Sequence, residues 1–265
     1  MNETQAAPLV SVVTVCFNAA ATIAETLESV RRQTWRPLES VVVDGASTDG
    51  TQDIVARYGD ITGTVISEKD KGTYDAMNKG IALTRGEILH FLNADDSFVD
   101  AEVVADAVRI FQTNPDIDLV FGDAVYRTPD GAFLRSYQRV NGRNLLYGDL
   151  CHQVVFARRA LFERFGKFNL EYRINADYDW FLRVFRSGAR IQYIHRTIAN
   201  FQLGGQSSTN LERMHAERQR IQYKYKGTIA FLFGNLIYRV SRRIRKYLGD
   251  ADHLYDSPKA PGQFR

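Results

Sequence analysis

Short apolar runs and amphipathic segments alternate along the first hundred residues. The run from Leu9 to Phe17 predicts a strand that is buried on both faces, as the strands of parallel sheets are. The runs from Leu38 to Val43 and from Glu87 to Leu92 predict two further strands. A shorter strand is predicted for Thr64 to Ser67, and the first intervening helix has a capping-box spacing from Thr22 to Glu25. This alternation predicts an α/β fold with a mainly parallel central sheet flanked by helices.

The pattern changes in the second half of the chain. A strand is predicted for Leu119 to Gly122, ending at Asp123, and a Pro-Asp-Gly turn at residues 129–131 predicts an antiparallel hairpin around it. A helix is predicted for Asp177 to Ser187, and Ile191 to Gln202 returns as extended chain. The sheet is therefore expected to include antiparallel strands.

Polar residues follow the ends of the successive predicted strands. Asn18, Asp44 and Glu68 each come soon after a strand, and Asn93-Ala94-Asp95-Asp96 follows the next one. Ligands of open α/β sheets bind beyond the carboxyl ends of the strands, so we expect these residues to converge on one rim. Two adjacent carboxylates repel each other unless a cation, donors or water screen them, which favours a site. A solvated turn is the alternative, since Asn, Asp and Ser are common loop residues.

The composition is that of an ordinary globular protein. The 265 residues are 45% hydrophobic and 25% charged, enough for a large core. Cys16 and Cys151 are the only cysteines, so no disulfide framework is implied and a reducing compartment fits. Met1 to Pro8 shows no secretory signal, and no apolar window is long enough to span a bilayer, so we expect a cytoplasmic protein.

The positive charge is concentrated near the C-terminus. Leu211 to Leu248 carries ten Lys and Arg against two Glu, whereas the whole chain has a net charge of +3. With its aromatic residues, this segment favours an interfacial helix on anionic lipid; a helix packed on the domain is the alternative. We do not expect nucleic-acid binding, because no recognised module accompanies the charge. The predicted organisation is a domain over residues 1–210 and a basic amphipathic helical extension over residues 211–265.

The usual nucleotide-binding loops are missing from the sequence. It contains no GxGxxG after the first strand and no Walker P-loop. Carboxylates repel phosphates unless a divalent cation bridges them, so Asp95 and Asp96 predict a metal that holds a diphosphate.

Four ordered segments point to a family. They are Val15-Cys16-Phe17-Asn18-Ala19, Val43 to Thr51, Asn93-Ala94-Asp95-Asp96 and Ala176-Asp177-Tyr178-Asp179-Trp180. Together they resemble the inverting family 2 glycosyltransferases of GT-A fold, over roughly Val10 to Gln202. The segments Glu68 to Gly80 and Cys151-His152-Gln153 resemble a subgroup from bacterial surface-polysaccharide and glycolipid pathways.

The resemblance implies a nucleotide-sugar site. Asp44 would accept a hydrogen bond from the donor's base, usually uracil, in a pocket shaped by the main chain near Cys16 and Asn18. Asn93-Ala94-Asp95 takes the place of the DXD motif, with Asn93 where Asp is usual. Either Asp95 or Asp96 would ligate Mg²⁺ or Mn²⁺. The segment that passes over the nucleotide would be Asp70, Lys71 and Gly72.

The resemblance also implies the catalytic and acceptor residues. Asp177 matches the general base, with Ala176 where the family usually has Glu, and Asp179 is the reserve candidate on another face of the same helix. His152 and Gln153 would contact the acceptor or the diphosphate. Alternatively, the two acids simply lie in the first turn of a helix and have no catalytic role, and the histidine has a structural role.

The function expected from this resemblance is metal-dependent, inverting transfer of a sugar from a nucleotide diphosphate, usually UDP. The acceptor would be a lipid-linked saccharide or glycolipid at the cytoplasmic membrane face. A sugar nucleotidyltransferase is one alternative, and a non-catalytic, membrane-recruited nucleotide- or glycan-binding subunit is another.

Overall fold

The structure is a computed structural model that describes residues 7–204 and 210–226. Its strands are β1 Val10–Cys16, β2 Leu38–Asp44, β3 Thr62–Ser67, β4 Ile88–Phe91, β5 Ser97–Phe98, β6 Leu119–Thr128, β7 Gly131–Arg135, β8 Val155–Arg158 and β9 Ile191–Gln202. Its helices are α1 Ile23–Arg31, α2 Thr51–Ala56, α3 Thr73–Leu83, α4 Val103–Thr113, α5 Arg159–Phe165, α6 Ala176–Phe185 and α7 Leu211–Lys226.

The strands within these ranges form one sheet in the order β3-β2-β1-β4-β8-β6-β9-β5, with β7 paired to β6. β1 to β4 are parallel to their neighbours, as the alternation of strands and helices predicts. β8 then runs antiparallel between β4 and β6, while β9 lies parallel to β6. The expected α/β fold with a mainly parallel sheet and flanking helices is confirmed.

Burial along the strands follows their position in the sheet. Every residue of β1 is buried, because β1 lies between two strands and is covered on both faces. β3 is at the edge, and its residues alternate between partly buried and exposed. The apolar run of β1 and the alternation of β3 therefore reflect two different environments in the same sheet.

Two local predictions differ from the structure. α1 begins at Ile23 as expected, but the Thr22 hydroxyl contacts the Ala19 carbonyl at 3.4 Å and makes no capping hydrogen bond. The strand that begins at Leu119 does not end at Asp123 but continues to Thr128. The Asp123 carboxylate can remain buried there because it accepts hydrogen bonds from the Tyr137 backbone N–H and the Tyr193 hydroxyl, both at 2.8 Å.

The first part of the predicted basic extension is α7, which packs on the domain. Ile221 is fully buried, the Arg218 guanidinium lies over the Tyr178 ring, and Lys224 forms an ion pair with Asp179. Residues 227–265, and with them most of the segment expected to bind lipid, lie outside the described residues. No helix in the part of the chain that the structure describes is long and apolar enough to cross a membrane.

Candidate active site

The carboxyl ends of the parallel strands bring the predicted nucleotide residues together. Cys16 at the end of β1 pairs with Asp44 at the end of β2, and Asp44 pairs with Ser67 at the end of β3. Ala94, just beyond β4, is buried in the same small apolar cluster as Cys16. The rim expected from topology is therefore present.

Four donors converge on the Asp44 carboxylate. Ser47 donates from its backbone N–H at 3.0 Å and from its hydroxyl, Ser67 donates from its hydroxyl at 2.6 Å, and the Cys16 thiol is at 3.6 Å. Burial alone would raise the pKa of Asp44, but the hydrogen bonds from the two serines lower it below its ordinary value. Asp44 is only 1% exposed, so a ligand could bond to it only if a serine hydroxyl turned away.

The Asn18 loop is fixed to the loop after β2. Its backbone has a φ of 49°, in the left-handed region that Asn tolerates better than most residues. The Asn18 N–H donates to the Ser47 hydroxyl at 2.7 Å, and its side-chain oxygen accepts from the Thr48 N–H at 3.0 Å. Asn18 therefore connects the first two strand ends.

The segment Asp70-Lys71-Gly72 lies beside this pocket. A Cβ added to Gly45 would meet a carboxylate oxygen of Asp70 at 2.7 Å, so the Asp70 side chain can lie this close to the loop after β2 only because residue 45 is glycine. Asp70 accepts a hydrogen bond from the Gly72 N–H at 2.7 Å, and Gly72 has a φ of 115° just before α3. Lys71 is exposed.

The two acids at the tip of β4 have different environments. Asp95 is exposed, whereas Asp96 is 2% exposed. The two Asp96 oxygens accept hydrogen bonds from the Gln153 side chain at 2.7 Å and from the Gln202 N–H at 2.9 Å. Burial raises the pKa of Asp96, and the nearby charge of Asp95 adds to the effect. The pKa of Asp95 is raised as well, because neighbouring protein atoms reduce the hydration of its carboxylate although part of the residue is exposed.

Asp177, in the first turn of α6, is held by three groups. Its Oδ1 accepts from the Tyr74 hydroxyl at 2.8 Å and from the Tyr178 N–H at 2.8 Å. Its Oδ2 lies 3.0 Å from Nδ1 of His152. Burial, and next the charge of Asp177, raise the pKa of Tyr74 well above its ordinary value, so Tyr74 is a neutral donor at physiological pH.

His152 connects Asp177, the candidate base, to the segment Asn93-Ala94-Asp95-Asp96 that follows β4, which we call the acidic tip. Its Nε2 lies 3.2 Å from the side-chain oxygen of Asn93, while its Nδ1 contacts Asp177. If His152 is neutral and donates to Asp177, Nε2 is an acceptor and Asn93 must turn its amide NH₂ toward it; if His152 is protonated, Nε2 donates to the amide oxygen. An amide at position 93 satisfies both states, whereas a carboxylate would require a protonated imidazole.

Two predicted acceptor residues are not at this cluster. Asp179 is 1% exposed, and its carboxylate forms ion pairs with Arg183 and Lys224, both at 3.1 Å, on the side of α6 that faces α7. Gln153 is also 1% exposed and bonds to Asp96. In this structure neither side chain is presented to an acceptor, because each is buried and bonded to protein.

Several residues of the site escaped the sequence prediction. Ser67 could have been found from its position at the end of a strand, beside Asp44. Tyr74 lies within a segment that resembles the family, yet nothing in the pattern singles it out as the partner of Asp177. The Gln202 N–H is a backbone group and has no side-chain signature.

The donor set at the tip of β4 fits a nucleotide-borne divalent cation. Among the described residues, no group of three or more His, Cys, Asp or Glu is arranged to hold a metal. Mg²⁺ is commonly held by one or two carboxylates together with substrate phosphates and water, and Asp95 has the exposed carboxylate that this arrangement needs.

Comparison with known proteins shows the family of this chain. The family model described as "Glycosyl transferase family 2" matches residues 11–193. A PGL/p-HBAD biosynthesis glycosyltransferase of Mycobacterium bovis (strain BCG / Pasteur 1173P2) is 36% identical over 218 residues, covering 80% of this chain and 84% of the relative. A putative teichuronic acid biosynthesis glycosyltransferase of Bacillus subtilis, TuaG, is 38% identical over 94 residues, covering 34% and 37%.

Solved structures show the same fold. S. aureus TarS 1-349 in complex with UDP-GlcNAc superposes with a TM-score of 0.67 at 20% identity, covering 82% of this chain and 71% of that one. The mannosyltransferase PcManGT from Pyrobaculum calidifontis, in complex with GDP-Man and Mn²⁺, gives 0.62 at 22% identity, covering 82% and 64%. The chain belongs to glycosyl transferase family 2 and is a glycosyltransferase.

Proposed function

We propose that the protein transfers a sugar, with inversion, from a UDP-sugar to a hydroxyl of a glycolipid or lipid-linked saccharide. The observation that carries this proposal is the chain of contacts from Asn93 through His152 to Asp177. These contacts support the proposal, because through them a carboxylate that could accept a proton is linked to the end of β4, where a donor diphosphate would be held.

Inversion requires one group that removes the acceptor's proton. As the hydroxyl oxygen bonds to the anomeric carbon, Asp177 takes the proton, and the bond from that carbon to the diphosphate breaks, with its electron pair leaving on UDP. Oδ1 of Asp177 already accepts two hydrogen bonds, whereas Oδ2 has one contact, with His152. A carboxylate oxygen has two lone pairs, so Oδ2 is the atom with capacity for the proton.

The donor would lie along the rim of the sheet. We assign the base to the pocket of Asp44 and Cys16, next to Asn18, and the segment Asp70-Lys71-Gly72 to the nucleotide's outer side. Asn93 and Ala94 would lie under the ribose and diphosphate. Asp95 would hold Mg²⁺ or Mn²⁺, and the buried Asp96 next to it would help to position Asp95. A bound divalent cation would offset the charge of the departing diphosphate.

The acceptor class rests on the named relatives. Proteins 36% and 38% identical are named for PGL/p-HBAD and teichuronic acid biosynthesis, which favours a surface glycan or glycolipid. The UDP in the proposed donor agrees with the UDP-GlcNAc bound by TarS, although GDP-Man is bound by the mannosyltransferase. We place the reaction at the cytoplasmic face of the membrane.

A transfer assay tests the proposed function. Purified protein is incubated with Mn²⁺, one of UDP-glucose, UDP-galactose, UDP-GlcNAc or GDP-mannose, and octyl glycosides as amphipathic acceptors. We expect a UDP-sugar to give a new glycoside, identified by mass spectrometry, whose anomeric configuration by NMR is opposite to that of the donor. Retained configuration would overturn the inverting mechanism.

The same assay separates the two alternatives. A sugar nucleotidyltransferase would consume a nucleoside triphosphate and a sugar 1-phosphate and release pyrophosphate. A non-catalytic subunit would bind UDP-sugar without forming any product, even in a single turnover at high protein concentration.

Membrane attachment is expected to depend on the basic extension beyond α7. Truncation at residue 210 would also remove α7, so charge reversal is the cleaner change. Arg242→Glu with Arg243→Glu should lower binding to phosphatidylglycerol vesicles, and added salt should lower binding of the wild type. The control is Arg213→Glu on the exposed side of α7. Equal binding of wild type and double variant in vesicle sedimentation would contradict attachment through these residues.

A further inference from the structure

We propose that Glu217, on α7, is a positioning residue for the base Asp177. This inference rests on the proposed function and extends it to a residue outside the segment matched by the family model, which ends at residue 193. Its basis is a set of hydrogen bonds from the loop that leads into α6.

Glu217 is bound to three successive backbone N–H groups. Its Oε1 accepts from Arg173 at 2.8 Å, and its Oε2 accepts from Ile174 at 2.9 Å and from Asn175 at 3.1 Å. Asn175 is the residue that precedes α6, and Asp177 is the second residue of that helix. One carboxylate therefore fixes the backbone immediately before the base.

Glu217 is buried, so its carboxylate depends on these three hydrogen bonds. The residue is 9% exposed, and within residues 7–204 and 210–226 no Lys, Arg or His forms an ion pair with it. A buried carboxylate without a cation is costly unless hydrogen bonds replace its water, and the three N–H groups do so. Its charge also lies near the positive end of the α6 dipole.

Other contacts reinforce the connection between α7 and the base. The Asn175 side chain does not cap its own helix; it donates to the Met214 carbonyl on α7 at 2.9 Å. Ile174, whose N–H donates to Glu217, also accepts a hydrogen bond at its carbonyl from the Tyr74 hydroxyl at 2.8 Å. The same hydroxyl lies 2.8 Å from Asp177. A shift of the loop would thus move the base and its donor together.

The expected consequence is a loss in turnover rather than in donor binding. Glu217→Gln keeps the shape of the side chain but replaces one acceptor oxygen by an NH₂ group, which cannot accept from the N–H groups it faces. A small misplacement of a catalytic group lowers the chemical rate strongly, so we expect kcat to fall roughly tenfold. Donor KM and the affinity for UDP with Mn²⁺ should stay near the wild-type values.

The test is a double-mutant cycle in the transfer assay, using the UDP-sugar and octyl glycoside that react fastest. Introduced into the wild-type protein, Glu217→Gln should lower kcat. Introduced into the Asp177→Asn variant, it should have no further effect, because the base that Glu217 positions is already inactive. Glu212→Gln, an exposed acid on the same helix, is the matched control. The N–H groups of residues 173–175 should exchange their hydrogens faster in Glu217→Gln than in the wild type, and no faster in Glu212→Gln.

The outcomes separate this inference from the proposed function. Wild-type kcat in Glu217→Gln, unchanged exchange at residues 173–175, or a further loss on top of Asp177→Asn would each overturn the positioning role and leave the proposed function intact. Full transfer by Asp177→Asn would overturn both. If Glu217→Gln does not fold, Asn175→Ser, which removes only the bond to Met214, should show a smaller loss and the same absence of effect in Asp177→Asn.

Discussion

Asp177→Asn is expected to lower the rate of sugar transfer by roughly 10²-fold or more, the usual scale for a positioned general base. The amide keeps nearly the same shape but cannot take the acceptor's proton. Asp177 is held by Tyr74 and His152, and it shares no hydrogen-bond partner with Asp44, which is held by Ser47, Ser67 and Cys16, so binding of the donor's base should persist. The measurements are transfer to an octyl glycoside and UDP affinity by calorimetry.

Asp179→Asn is the matched control, since it makes the same chemical change two residues along the same helix. Asp179 is buried and forms ion pairs with Arg183 and Lys224, so its loss leaves two cations without their partner. We expect a lower Tm and a rate of transfer close to the wild type at temperatures where the variant is folded. A normal rate in Asp177→Asn together with a collapse in Asp179→Asn would move the base to Asp179.

The sequence was sufficient to predict the rim of the site because topology decides it. Parallel strands that alternate with helices place the residues after each strand at one edge, whatever the side chains are. Asn18, Asp44, Glu68 and the segment Asn93-Ala94-Asp95-Asp96 were therefore predicted to converge on one rim without knowledge of any contact. The strand pairing of the structure agrees with that prediction.

The directions of individual side chains could not be predicted in the same way. Asp177 and Asp179 share the first turn of α6, and the sequence places them on different faces but does not say which face meets the site. Gln153 follows His152 directly, yet it turns inward to Asp96 while His152 reaches Asp177. These outcomes depend on packing between segments that are distant in the chain.

The role of α7 was hidden for a different reason. Glu217 is one of two acids in a strongly basic segment, so charge patterning indicated a lipid surface rather than a carboxylate buried against the domain. Its three partners are backbone N–H groups, which carry no sequence signal. For residues 211–226 the structure agrees with the alternative of a helix packed on the domain.

The second large effect is expected at the acidic tip, where substitution of one carboxylate should weaken nucleotide binding and substitution of the other should destabilise the fold. Asp95 is exposed and is the acid we assign to the cation, so Asp95→Ala should lower the affinity for UDP in the presence of Mn²⁺ by roughly tenfold or more, about 1.4 kcal/mol for each factor of ten. Without Mn²⁺, wild type and variant should bind UDP equally weakly. Calorimetry with UDP, with and without Mn²⁺, measures both values.

Asp96→Ala should act on the fold instead. Its carboxylate accepts hydrogen bonds from Gln153 and from the Gln202 N–H, so truncation leaves one buried and one partly buried donor unpaired, at a cost of roughly 1–3 kcal/mol for a buried donor. Thermal unfolding of the nucleotide-free protein should show a clear fall in Tm for Asp96→Ala and almost none for Asp95→Ala or for Asp130→Ala, an exposed control in the β6–β7 turn. If Asp95→Ala kept its Mn²⁺-dependent affinity while folded Asp96→Ala lost it, the buried acid would be the ligand. Gln153 would then have to release Asp96 when the nucleotide binds.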